Sequence, residues 1–162
     1  MIRLEEALVA LARNEVDFVI VGGVAATLHG SGSATFDLGL CYSRAPANLE
    51  RLTGALAPFH PRLRDAPVEL PFVWDAGTLG NGFHFTLTTD LGDLDLLGDI
   101  SGIGGYTEVK RASMLADLFG HRFAVLSLDG LISSKRSSGR RKDLLALPEL
   151  EALREASEDP KS

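Results

Sequence analysis

Leu4, Leu8 and Leu11 recur at helical spacing, with Glu5, Glu6 and Arg13 on the other face, and predict a helix over residues 2–14. The uninterrupted apolar run Phe18-Val19-Ile20-Val21 follows Asp17 and suits a buried strand over 17–21. Gly22-Gly23 ends that run, and residues 24–29 read as a short helix closed by Gly30. Ser31-Gly32-Ser33 is a loop. From 35 to 42 the period becomes two: Phe36, Leu38 and Leu40 share one face, and Asp37, Gly39 and Cys41 the other.

Pro46 opens a helix that runs to about Leu56, since proline suits a first helical turn. Residues 58–73 carry four prolines and no period, and read as irregular. Residues 74–79 predict one helical turn. Alternation over 83–89, the turn Asp90-Leu91-Gly92 and a return strand over 93–97 predict a hairpin. A glycine-rich loop at 102–105 and a short helix over 107–111 follow. Residues 114–119 and 122–126, joined by Gly120-His121, predict a second hairpin. Ser127 and Asp129 are capping residues for a helix through Ser137, which Gly139 breaks. A last helix reaches Ala156, with Pro148 placed to divide it.

This order of elements predicts an α/β (α+β) fold with a mixed central sheet flanked by helices, rather than a doubly wound parallel sheet. At 162 residues the expectation is one domain over 1–156, with a frayed tail at 157–162. No stretch of about 18 apolar residues predicts a membrane span. The start of the chain is acidic and amphipathic, unlike a signal peptide, and the single Cys41 excludes an internal disulfide. Both point to a cytoplasmic protein. The net charge of −6 argues against a general nucleic-acid coat but leaves room for a local basic patch. Such a patch exists in Lys135, Arg136, Arg140, Arg141 and Lys142.

The stretch FVIVGGVAATLHGSGSATFDLGLCY, with its strand, Gly-Gly, helix and Thr35-Phe36-Asp37 on a second strand, resembles the nucleotidyltransferase superfamily that includes DNA polymerase beta and the minimal nucleotidyltransferases. Gly92-Asp93-Leu94-Asp95-Leu96-Leu97 and the segment Leu128 to Leu144, with Lys135 and Arg140-Arg141-Lys142-Asp143, extend the resemblance in the expected order. The last segment is similar to nucleotidyltransferase toxins of the abortive-infection type. The resemblance implies Mg²⁺- or Mn²⁺-dependent transfer of a nucleoside monophosphate from a nucleoside triphosphate to a hydroxyl of RNA, a protein or a small molecule. It implies Asp37 and Asp95 as catalytic metal ligands, with Lys135 on the nucleotide phosphate and Lys142 and Asp143 shaping the same pocket. A tRNA or protein acceptor and an antitoxin partner are the partners it suggests.

The residues carry independent arguments. Magnesium prefers carboxylate oxygens, and Asp93 and Asp95 share a strand face through alternation. A charge inside Leu94-Asp95-Leu96-Leu97, or between Phe36 and Leu38, is disfavoured without a partner or metal. Asp93 is equally well explained as a turn residue beside Leu91-Gly92 or as a third metal ligand. Gly22-Gly23 lets backbone amides approach a phosphate, with the dipole of the following helix in support, although Gly-Gly also makes a plain turn. Thr35 offers a hydroxyl to the same phosphate, or is simply a β-branched strand residue. Lys135 and Lys142 are phosphate contacts or a solvated basic face. His29, His60, His84 and His121 lack metal-ligand spacing, and Cys41 reads as a small buried residue.

Gly39 occupies the position at which the family carries its second, metal-bridging aspartate. Loss of one such carboxylate slows chemistry by about 10²–10³. The expectation is therefore an impaired nucleotidyltransferase, or a catalytically inactive nucleotide-binding or partner-binding module of a toxin–antitoxin type system.

Overall fold

The apolar strand before Gly22 and the alternating strand after Thr35 pair with each other at the centre of the molecule. In the computed structural model, which describes residues 1–67 and 69–158, these are β1 (Phe18–Val21) and β2 (Asp37–Tyr42). β2 runs antiparallel to β1, with Val21 opposite Gly39, and parallel to β5 (Gly92–Leu97), with Asp37 opposite Asp93 and Gly39 opposite Asp95. β4 (Phe85–Thr89) forms the predicted hairpin with β5, and β3 (Arg62–Leu63) adds an edge strand to β4. On the other side β9 (His121–Leu126) lies parallel to β1, and β8 (Ser113–Leu118) closes the sheet. The seven-stranded order is β3-β4-β5-β2-β1-β9-β8, a mixed sheet flanked by helices, as the pattern predicted. β6 (Asp99–Ile100) and β7 (Gly104–Gly105) form a small separate ladder.

Leu38, Leu40, Leu94 and Leu96 are buried on one face of the central strands, so Asp37, Gly39, Asp93 and Asp95 share the other. A one-residue slip of either strand would turn carboxylates into the core and leucines out. Each buried leucine contributes about 1.5–3 kcal/mol, so the register is fixed by the side opposite the site.

α1 (Leu4–Arg13) buries Ala7, Leu8 and Leu11 and packs on α3 (Pro46–Leu56). α2 (Gly22–Leu28) starts at Gly22 rather than at residue 24: Gly22 takes φ +64° and turns the chain directly into the helix. α4 (Ala76–Asn81) lies two residues later than predicted because Asp75 accepts a hydrogen bond from the Thr78 amide and fixes its start. α5 (Tyr106–Arg111) packs on β1 and β2. Phe119 and Gly120, both at positive φ, form the two-residue turn between β8 and β9.

α6 (Leu128–Ser138) is capped by Ser127, whose Oγ accepts from the Gly130 amide, and ends at Gly139 in the left-handed conformation. Asp129 is not its cap. α7 (Arg141–Glu158) runs through Pro148 without division and packs along α6. Of the tail expected to fray, residues 157 and 158 are helical, and the rest lies outside the described residues. Phe36, expected beside Leu38 and Leu40, precedes the strand and is 62% exposed. No helix among the described residues is long and apolar enough to cross a membrane.

Candidate functional site

The β1–α2 turn, β2, β5, β6 and α6 converge on one cavity of about 250 Å³. Gly22, Gly23, Asp37, Asp95, Lys135 and Asp143 all line it, although they span more than a hundred residues of chain. Gly39 lines it as well, between Asp37 and the buried Cys41 on the same strand face. Burial pushes the Cys41 thiol up to about 12, with Asp99 and Glu108 adding to the effect. It therefore remains protonated, and is a poor nucleophile.

Asp37 and Asp95 come together at the cavity floor. Burial, and then a hydrogen bond shared with Asp37, raise the Asp95 carboxyl to about 6, against the lowering influence of Arg64. Two carboxyl groups close enough to share a proton form a site that takes up positive charge. Arg64 supplies some of it: Nη2 donates to Asp95 Oδ1 at 3.0 Å, and Nε lies 3.3 Å from Asp93 Oδ2. Asp93 also accepts from Thr88 Oγ1 at 3.2 Å, and it does not line the cavity. Arg64 carried no sequence signal, because it follows the short β3 inside the proline-rich segment.

The opposite wall is cationic. Asp143 is 2% exposed and accepts from Lys135 Nζ at 3.1 Å, from Ser138 Oγ and from Arg140 Nε at 2.8 Å. Burial alone would raise its carboxyl. The bonds from Ser138, Arg140 and Lys135 outweigh burial and hold it well below the usual carboxylate range. Asp143 thus fixes the direction of Lys135 and Arg140 at the cavity wall. Arg136 turns away to Glu151. Lys142 is exposed and lies outside the cavity lining.

Thr35 also stands outside the lining. Its Oγ1 donates to the Asp37 carbonyl at 3.3 Å, and it packs so tightly on Gly23 that a Cβ there would stand 2.6 Å from that oxygen. Gly23 is therefore required for close approach rather than for backbone conformation. Two residues that sequence reasoning passed over join the cavity: Asp99, held by His84 Nε2 at 3.4 Å, and Ser101. The Gly98 amide donates to His84 Nδ1, so the other ring nitrogen carries the proton toward Asp99.

Asp37 and Asp95 are two cavity side chains that could hold a divalent ion. Magnesium is commonly held by one or two carboxylates, with substrate phosphate and water completing its shell, and Asp37 and Asp95 are two such groups. Gly39, on the same strand face, adds no third carboxylate. Among the described residues no group of three His, Cys, Asp or Glu side chains is placed to hold a metal. No protein-family model matches the chain, and no curated protein matches it.

Proposed function

We propose that this chain is a nucleotidyltransferase-fold protein whose cavity binds a nucleoside triphosphate with a divalent cation, Mg²⁺ or Mn²⁺. The reading rests on one observation: a carboxylate pair, a glycine turn and a lysine from separate parts of the chain line the same cavity. Phosphoryl-type transfer needs these parts, namely charge neutralisation, donors for the non-reacting phosphates and in-line positioning, and no covalent nucleophile. Asp37 and Asp95 would hold the cation, which neutralises charge on the triphosphate. The amides of the Gly22-Gly23 turn and the Lys135 ammonium would hold phosphate oxygens. An acceptor hydroxyl of RNA, protein or a small molecule would attack the α-phosphorus, give up its proton to water and release pyrophosphate.

A second reading is favoured by Gly39 and by Arg64 on Asp95: a nucleotide-binding or partner-binding module, of a toxin–antitoxin type system, that binds without turnover. Both readings place the protein in the cytoplasm, where nucleoside triphosphates and Mg²⁺ are abundant. Incubation with each labelled nucleoside triphosphate, Mg²⁺ and RNA or protein acceptors decides between them. The enzyme reading expects slow transfer by this chain and faster transfer by Gly39→Asp. The module reading expects bound nucleotide and no transfer by either.

A further inference from the structure

We propose that Arg64 is the resident counter-cation of the carboxylate pair, and that a divalent ion binds at Asp37 and Asp95 only by displacing its guanidinium from Asp95. The inference rests on the nucleotidyltransferase reading for the identity of the cation alone.

Arg64 is anchored at both ends. Its backbone amide donates to the Thr86 carbonyl at 2.9 Å, and Nη2 donates to the Leu87 carbonyl at 2.7 Å as well as to Asp95. The side chain is only 20% exposed. Its Nε is fully covered and makes no hydrogen bond, although Asp93 Oδ2 lies 3.3 Å away. A buried N–H with no acceptor is unfavourable. Such a group is retained here by charge: the guanidinium faces Asp93 and Asp95 together, beside Asp37.

Asp37 itself pairs with no Lys, Arg or His among the described residues. The free side of the pair therefore faces the cavity, and the occupied side faces β3–β4. A divalent ion shared by Asp37 and Asp95 would sit next to a fixed positive charge on one of its own ligands. Like charges so close disfavour simultaneous occupancy, so cation entry and the Arg64–Asp95 contact compete. The arrangement also accounts for a folded site with an incomplete metal-ligand set, since Arg64 supplies the neutralising charge.

The test is Mn²⁺ titration followed by electron paramagnetic resonance, on this chain, Arg64→Gln and Arg64→Gln/Asp95→Asn, each checked for native circular dichroism. Arg64→Gln should bind Mn²⁺ about tenfold tighter than this chain, within the usual range of coupling between sites. The double variant should lose the gain. Equal or weaker binding by Arg64→Gln than by this chain, or no binding by both, overturns the proposal. Should Arg64→Gln fail to fold, the Arg64 Nε–H resonance of the unaltered chain serves instead. It should shift and lose exchange protection on saturation with Mg²⁺, and an unchanged resonance overturns the proposal. Titration of Mg²⁺-nucleotide into the unaltered chain and into Lys135→Ala reports separately on the nucleotide reading.

Discussion

Gly39 stands directly opposite Asp95 in the parallel ladder between β2 and β5, and the nearest atoms that a Cβ at Gly39 would meet belong to Val21, at an ordinary 3.5 Å. Its φ is not positive, so the backbone already suits any L-residue. An aspartate there would join Asp37 and Asp95 without rebuilding the strand. Three carboxylates would then repel one another in the absence of metal. Gly39→Asp should lower Tm in chelator by about 2–4 °C, equivalent to about 1 kcal/mol. It should gain more stability from Mg²⁺ than the parent, by mass action on the folded state. Its transfer rate should exceed the parent's by about 10²-fold or more. Thermal melts with and without Mg²⁺, together with labelled-nucleotide transfer, check all three. A variant whose Tm ignores Mg²⁺ and which transfers nothing shows that more than one carboxylate is missing, and leaves the binding-module reading ahead.

Asp143 is expected to be the pH-sensitive element of the cavity wall. Its folded-state carboxyl lies below the ordinary range because Ser138, Arg140 and Lys135 outweigh its burial. A depressed value stabilises the fold above the unfolded pKa of about 3.9, and that contribution fades as pH falls below about 4. Asp143→Asn should therefore cost about 1–3 kcal/mol at pH 7. The gap between variant and parent should begin to narrow as the pH falls below about 4, and it disappears only once the pH passes through the much lower folded-state value. Melting curves at pH 7, 5 and 3 measure it, and a gap independent of pH contradicts the assignment.

Ser127 sets where α6 begins, and Lys135 sits two turns further along. Removal of the Ser127 Oγ bond to the Gly130 amide in Ser127→Ala should cost about 1 kcal/mol. Chemical denaturation measures this directly, with an unchanged m-value expected because the surface exposed on unfolding is unchanged.

The scaffold was legible wherever its signals are local. Pro46 at a helix start, Ser127 and Gly139 at the two ends of α6, and the alternation on either side of Leu91-Gly92 each act within a few residues. Phe36 misled because alternation alone does not say where a strand begins; the strand starts one residue later and leaves that ring in solvent. Pro148 misled in the other direction, since packing along α6 carries α7 through it.

Of the residues that line the cavity, Asp37 and Asp95 stood out in the sequence as charges in apolar surroundings, and Lys135 through the family resemblance. Arg64 did not, because its partners on β4 and β5 are more than twenty residues away and its own segment has no period. Asp99 likewise acquires its place through a contact distant in sequence, with His84.

The central claim is that this cavity holds nucleoside triphosphate, and calorimetric titration tests it most directly. Each of the four common Mg²⁺-nucleotides is titrated into this chain and into Lys135→Ala. The account predicts measurable heat with at least one nucleotide. It predicts an affinity about tenfold or more weaker in Lys135→Ala, in keeping with the roughly 1.5–3 kcal/mol carried by a charge-assisted hydrogen bond. Absence of heat with all four nucleotides, or an affinity indifferent to Lys135, contradicts it.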